Sequence, residues 1–293
     1  MKILLTGAAG FLGSAVCRAL VDDGYTVRAT DRLFQKDLPV PLEIADLRDP
    51  ITCFQLMQGM DVLVHLANHP NIHSAPPHVV LSENVLMNTN LFEAAVSARL
   101  SRIIFASSIQ TIAGPRRYKN TQPPQNSDLH YLPLDGDTPT NPVNLYGLSK
   151  ILSEQILQYQ TQRHPIHGVA IRLPYIVDPS IINFRWPPPY SQVYENANAD
   201  DGFAWIWRSD AVALITAILR SNLTGYRTYL PAAPVPWFSI PIPQLIATIF
   251  PNVPLKKPVE QMAGLVDISQ ITRETGWTSH GFELLQPFLP PKS

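Results

Sequence analysis

Tyr146 and Lys150, in the segment Tyr-Gly-Leu-Ser-Lys, are one helical turn apart, so a helix places both side chains on the same face. A phenol titrating near about 10 is a poor base at neutral pH, but an adjacent ammonium and a cationic ring both favour its phenolate. Such a phenolate can take the proton of a hydroxyl while hydride leaves the same carbon. Ser107-Ser108 closes the apolar run Ile103 to Ala106, and a hydroxyl there could hold the substrate oxygen.

This chemistry needs a hydride acceptor, and the start of the chain supplies a place for one. Thr6-Gly7-Ala8-Ala9-Gly10-Phe11-Leu12-Gly13 lies between a predicted strand and a predicted helix. There, free backbone N–H groups and the helix dipole attract a pyrophosphate. Gly7 permits the tight turn, Gly10 admits the phosphates and Gly13 lets the helix lie close. Asp31 ends the second predicted strand about 20 residues further on, where a carboxylate accepts from adenosine ribose hydroxyls and repels a 2′-phosphate. NAD is favoured. Arg28 and Arg32 could hold that phosphate and keep NADP open.

These residues depend on an alternation of short apolar runs and helical patterns. Strands are predicted at Ile3 to Leu5, Thr26 to Asp31, Leu42 to Ala45, Asp61 to Ala67, Ile103 to Ala106 and Val169 to Leu173. Helices are predicted at Ile51 to Gly59, Leu81 to Ala98 and Tyr146 to Gln160. Apolar strands alternating with helices imply an α/β fold, a Rossmann-like doubly wound parallel sheet. Residues 1–173 are read as the NAD-binding domain carrying the catalytic residues. Residues 174–293 are read mainly as a smaller C-terminal substrate lobe, with a soft boundary that the chain can cross. In that lobe prolines and aromatics dominate, with helices at Asp210 to Arg220 and Pro243 to Phe250. Arg185, Trp186 and Tyr190 occupy a proline-rich stretch suited to a lid.

Composition excludes other classes of partner. A net charge of −1 with 15% charged residues gives no basic field for nucleic acid or an anionic membrane. No run of about 18 apolar residues spans a bilayer, and three glycines interrupt the apolar start that might otherwise imitate a leader. Two cysteines, Cys17 and Cys53, make no disulfide framework, which suits a reducing, cytoplasmic compartment. Proline is abundant, at 29 of 293 residues, and marks loops and extended connections.

Taken together, TGAAGFLG, Asp31, Ala45-Asp46-Leu47, His65-Leu66-Ala67-Asn68, NVLMNTNLFEAA from Asn84, FASS from Phe105 and YGLSK resemble the extended short-chain dehydrogenase/reductases, or NAD-dependent epimerase/dehydratase family. Ile171-Arg172-Leu173-Pro174, Asp267-Ile268-Ser269 and Gly276-Trp277 extend the resemblance to nearly the whole chain. It implies a cofactor site drawn from Gly7, Ala9, Gly10, Phe11, Leu12, Gly13, Asp31, Arg32, Asp46, Leu47, Leu66, Ala67, Asn84, Ala106, Tyr146, Lys150 and Pro174. In that site Asp46 and Leu47 would flank the adenine, Ala67 would line the channel, Lys150 would bind the nicotinamide ribose and Pro174 would approach the nicotinamide. Asn84 is a further candidate for a positioning or relay role.

The catalytic set implied is Ser108, Tyr146 and Lys150, with Asn68, Ser108, Ile109 and Arg172 facing substrate. Ser108, rather than Ser107, matches the family's orienting hydroxyl. Ile109 and Gln110 replace the acidic pair that dehydratases carry, so elimination of water is disfavoured. SSIQTIAG resembles uronate dehydrogenases, with Ala113 where glycine is common, and Arg172 would then pair with a substrate carboxylate or serve a structural role. The resemblance also implies a homodimer through the helices Leu81 to Ala98 and Tyr146 to Gln160.

Three functions stay open: a dehydrogenase acting on a hydroxyl of a sugar, sugar acid or nucleotide sugar; an epimerase that retains NAD; and a non-catalytic NAD(P)-binding sensor. No metal site is assigned, because His65, His69, His73 and His78 lack acidic or cysteine ligands at a convincing spacing. Trp205 and Trp207 read as packing residues and Asp210 as a helix cap, while Arg208 stands beside them as a possible substrate contact.

Overall fold

The computed structural model describes residues 1–112, 129–179, 201–236 and 241–281. Ala113 and the lid candidates Arg185, Trp186 and Tyr190 lie outside these residues. Strands β1 (Lys2–Thr6), β2 (Thr26–Asp31), β3 (Leu42–Ile44), β4 (Val62–His65), β5 (Arg102–Ser108) and β6 (His167–Leu173) form one sheet with a late strand, numbered below as β9 (Tyr226–Tyr229). Its order is β3-β2-β1-β4-β5-β6-β9 with every pairing parallel.

The apolar run in β1 shows why this sheet must be covered twice. Successive side chains point to opposite faces. Ile3 and Leu5 therefore join a core with helices α1 (Phe11–Asp22) and α5 (Arg208–Arg220), whereas Leu4 joins a second core with α2 (Pro50–Met57) and α3 (Pro77–Ser97). Helix α4 (Leu145–Arg163) packs beside α3 on this second face. Each of these β1 residues is fully buried, worth roughly 1.5–3 kcal/mol apiece in transfer from water.

Helix starts follow local chemistry. Asp49 caps α2 by accepting from the N–H groups of Ile51 and Thr52. Helix α3 begins at Pro77, earlier than the apolar pattern predicts, because proline is pre-set for the first turn.

Beyond β6 the chain leaves the large sheet and then returns to it. Strand β7 (Tyr175–Val177) pairs with β8 (Trp205–Trp207) in a separate two-stranded sheet. Helix α5 and β9 then return to the large body, so a cut at residue 173 separates elements that share one sheet and one core. The side chain of Arg102 secures the return: buried in the large sheet, it donates to carbonyls of Ile218, Leu219, Ser221 and Leu223 at the end of α5.

A smaller core gathers Ile109, Leu132, Leu134, Phe203, Leu230 and Met262 with helix α6 (Ile242–Ile249). This core draws together well-separated stretches of the chain. Helix α7 (Ser269–Thr275) ends at Gly276, whose φ of +73° is the left-handed conformation favoured after a helix C-terminus.

Candidate functional site

The strand order reverses at β1, which has β2 on one side and β4 on the other, and doubly wound sheets bind ligands outside the carboxyl edge at such a point. The glycine-rich turn sits there. Gly7 has φ +73°, and a Cβ on it would lie 2.6 Å from the Ala67 backbone nitrogen. A Cβ on Gly13 would stand 1.9 Å from the Gly7 carbonyl oxygen, so this position brings the helix against the turn.

The first helical bond of α1 runs from Ser14 N–H to Gly10 C=O, leaving the N–H groups of Phe11, Leu12 and Gly13 ahead of it, and no side chain caps this end. That is the donor set a pyrophosphate requires. The residues therefore fit a dinucleotide phosphate.

Asp31 is 22 residues from Ala9 and closes the turn: one carboxylate oxygen accepts from Ala9 N–H at 3.0 Å and the other from Leu33 N–H at 3.1 Å. Arg28 is committed elsewhere, to Glu43 and to the carbonyls of Gln55 and Leu56. Arg32 remains exposed near Asp46. Arg48 binds the Asp46 carboxylate and holds it below its ordinary range, while Leu47 is buried. Leu66 and Ala67, which follow β4, are half-buried against the turn. Pro174 is buried between β6 and β7.

Tyr146, Lys150 and Ser108 meet at the carboxyl end of β5. Asn144 caps α4 by accepting from Gly147 N–H at 2.9 Å, which sets the first turn and with it Tyr146. The Lys150 ammonium lies 5.7 Å from the Tyr146 ring centroid and 4.9 Å from that of Phe105. It donates to Asn68 Oδ1 at 2.7 Å and to the Ala106 carbonyl at 2.8 Å.

Burial pushes the Tyr146 phenol up to about 12, opposed by a hydrogen bond with Ser108. Burial also pushes Lys150 down to about 7, opposed by the charge of Glu154. The sequence reading expected the ammonium to make the phenol acidic. Desolvation is the larger effect here, because both groups are more than nine-tenths enclosed.

Other expected contacts are placed differently. Arg172, read as a substrate-carboxylate or structural residue, grips Glu154 through Nε and Nη2, the shortest contact being 2.9 Å, and donates to the Gly136 and Thr138 carbonyls. Ser107 donates to the same Glu154 at 2.5 Å, leaving Ser108 as the hydroxyl beside the phenol. Ile109 is packed in the smaller core. Asn68 turns to Lys150. Asn84, fully buried, accepts from His69 N–H and donates to Ser149, fastening the loop after β4 to α4.

Trp205 and Trp207 are buried and donate to the carbonyls of Val235 and Gly281. Asp210 lies within the first turn of α5 rather than at its cap, and its carboxylate binds His280. Arg208 stands over the Phe11 ring at 4.6 Å and pairs with Asp178 at 2.7 Å.

Sequence reasoning missed Asn88 and Glu154, both buried among these residues. Their signal was present: Asn88 repeats Asn84 one helical turn on, and Glu154 continues the Tyr146–Lys150 stripe. Among the described residues no group of His, Cys, Asp and Glu could hold a metal ion, and no helix is long and apolar enough to cross a membrane.

Two relatives bear on this site. A NAD-dependent glucose-6-phosphate dehydrogenase of Haloferax volcanii is 32% identical over 178 residues, 58% of this chain and 67% of that protein. A putative UDP-glucose 4-epimerase of Methanocaldococcus jannaschii is 28% identical over 178 residues, 58% of this chain and 54% of that protein. The chain thus spans between about half and two thirds of their lengths. The crystal structure of uronate dehydrogenase from Agrobacterium tumefaciens shares the fold, with a TM-score of 0.67 and 23% identity over 100% of this chain and 91% of that one. The model of the NAD dependent epimerase/dehydratase family matches residues 3–185, and the chain belongs to that family.

Proposed function

We propose that this protein is an NAD-dependent dehydrogenase that oxidises a hydroxyl of a sugar, sugar acid or nucleotide sugar. The observation that carries the reading is the buried cluster of Ser108, Tyr146 and Lys150 at the sheet edge, beside a helix N-terminus left free for a pyrophosphate. NAD, when bound, supplies the hydride acceptor and a positive ring. Gly7, Ala9, Gly10 and Gly13 would form the turn around its phosphates, with donors from Phe11 and Leu12. Asp31 would hold the ribose, and Asp46 and Leu47 would flank the adenine. Leu66, Ala67, Ala106 and Pro174 would line the remainder. Asp31 and the committed Arg28 support NAD over NADP, which only Arg32 would assist.

Ser108 Oγ holds the substrate oxygen, and Tyr146 Oη takes its proton. Lys150 favours the phenolate by its charge. Burial raises the phenol, and positive charge brought beside Tyr146 works against that rise and favours proton removal. General-base removal of this kind contributes about 10²–10⁴ in rate.

The smaller lobe, the mainly C-terminal part of the chain, is the substrate side in this reading. Ile109 and Gln110 supply no acid for dehydration: the first is core, and the second accepts from Asn144. A homodimer through α3 and α4 belongs to the same proposal, supported by Leu86 and Tyr159 exposed on those helices. Reducing, cytoplasmic conditions suit the two buried free cysteines.

The test is to mix the purified protein with NAD and a panel of uronic acids, aldoses, sugar phosphates and nucleotide sugars, following reduced-cofactor absorbance. Net reduction by the wild type, lost in Tyr146→Phe with NADH binding retained, is the expected result. A fully active Tyr146→Phe protein would overturn the assignment. Isomerised product without net reduction would establish the epimerase reading, to which the similar archaeal protein lends support. NAD binding with no conversion of any substrate would favour a sensor.

A further inference from the structure

Lys150 is held by a side chain that the catalytic reading leaves without a role. Its ammonium donates to Asn68 Oδ1 at 2.7 Å. Behind Asn68, whose amide also donates to the Ala67 carbonyl, lies a buried polar chain. The Asn68 amide donates to Asn88 Oδ1 at 2.8 Å, and the Asn88 amide donates back to Asn68 Oδ1 at 3.2 Å. The Asn88 amide also donates to Ser153 Oγ at 2.6 Å, while the Ser153 hydroxyl donates to the Ser149 carbonyl.

His65 fixes the orientation of Asn88. Its Nε2 lies 2.6 Å from Asn88 Oδ1, an atom that can only accept, so Nε2 carries the proton. Nδ1 then accepts from the Thr6 hydroxyl at 2.7 Å. Burial holds this imidazole neutral, which preserves the tautomer. If the Asn68 amide rotated by half a turn, its NH₂ would face the ammonium and its oxygen would face Asn88 Oδ1. Both ends would then repel in a low-dielectric interior.

We propose that Asn68 and Asn88 are a positioning pair, oriented by His65, that keeps a carbonyl oxygen against Lys150 and so holds it as the cation facing Tyr146. The pair deepens the Tyr146–Lys150 reading and rests on it. It assigns Asn68 to the lysine rather than to substrate. The titratable and charged groups around Lys150 are Tyr146 and Glu154 on its own helix and His65 on β4. The other direct partners, Asn68, Ala106 and Phe105, are neutral.

The experiment changes Asn68 in two directions. Asn68→Leu removes the acceptor, and Asn68→Asp places a carboxylate there. The ammonium is the charged form to be stabilised, so loss of the acceptor lowers the Lys150 pKa and the added carboxylate raises it. In the pH profile of kcat, the alkaline limb should move down by about one unit in Asn68→Leu and up by about one unit in Asn68→Asp. Asn88→Leu should move it down by less.

A second readout needs no turnover. The Lys150 side chain, followed by carbon-13 NMR in lysine-labelled protein without added substrate or cofactor and assigned by difference from Lys150→Met, should titrate lower in Asn68→Leu and higher in Asn68→Asp than in wild type. A Lys150 titration that stays in place in both Asn68 variants would overturn the proposal. Limbs that stay in place in both Asn68 variants, or move the same way, would also overturn it, because a general packing defect has no sign. Were Tyr146→Phe itself active, the underlying reading would fail instead, and that outcome is recognised separately from the Asn68 result.

Discussion

Replacing Glu154 with glutamine tests the pairing that removes Arg172 from the substrate. Both side chains are 7% exposed, and the guanidinium spends Nε and Nη2 on this carboxylate while Nη1 serves two backbone carbonyls. Glutamine keeps the shape of the side chain and deletes its charge, leaving a buried cation without a counter-ion. Breaking such a pair from one side costs about 3–5 kcal/mol. At roughly 2–4 °C per kcal/mol for a chain of this size class, the melting temperature should fall by about 10 °C.

Differential scanning calorimetry of wild type, Glu154→Gln, Arg172→Met and the double variant measures the fall and the coupling. The double variant should recover most of the loss, since two well-packed neutral side chains need no partner. The same change removes the charge that favours the Lys150 ammonium, so the alkaline limb of the rate profile should also move down. A melting temperature within about 2 °C of wild type would refute the argument, because that corresponds to less than about 1 kcal/mol. Arg172 would then be available to an incoming acid after all.

Gly13→Ala should abolish NADH binding measured by fluorescence and lower the melting temperature, since its Cβ meets a backbone oxygen that cannot move without opening the turn. Arg102→Met deprives four carbonyls at the end of α5 of a donor, and should cost about 2–4 kcal/mol. It should also raise hydrogen exchange selectively over the last turn of α5, and unchanged protection there would contradict the role assigned. His65 is depressed to about 3 by burial, so as pH falls from about 6.5 the unfolded chain binds a proton that the native imidazole refuses. Stability present above about 6.5 is therefore lost toward pH 3, at up to about 1.4 kcal/mol per unit from this one group. Urea unfolding between those limits should show a shallower decline in His65→Gln than in wild type, and equal slopes would show that His65 is not the group responsible.

The elements legible in the sequence were those whose pattern is set by burial on both sides of a sheet. Ile3 to Leu5 reads as a strand because all three residues are enclosed, and Tyr146 and Lys150 read as a pair because helical spacing alone puts them on one face. Strand β9 was not anticipated: Tyr-Arg-Thr-Tyr is four residues with no apolar run, and only pairing with β6 makes it a strand. Arg172 could not be assigned from sequence, since its counter-ion lies 18 residues earlier on another element.

Position alone cannot show which way the Asn68 amide faces, and the contact with Lys150 was not legible in the sequence. The four-residue repeats Asn84/Asn88 and Ser149/Ser153 were a readable sign that α3 and α4 meet through polar stripes, as they do. Helical amphipathicity read only for apolar residues passes over such a seam.

The contact between Asp31 and Ala9 limits how this enzyme family member can be re-engineered for a phosphorylated dinucleotide. In the proposed cofactor site, one oxygen of the side chain assigned to discriminate against the extra phosphate also fastens the glycine-rich turn to the neighbouring strand. Swapping it for a small neutral residue would relax selectivity and loosen the cradle together, so weaker binding of either coenzyme would follow rather than a clean exchange. A change of preference would have to begin by replacing that tether, for instance with an asparagine whose Oδ1 keeps the Ala9 amide engaged without the charge.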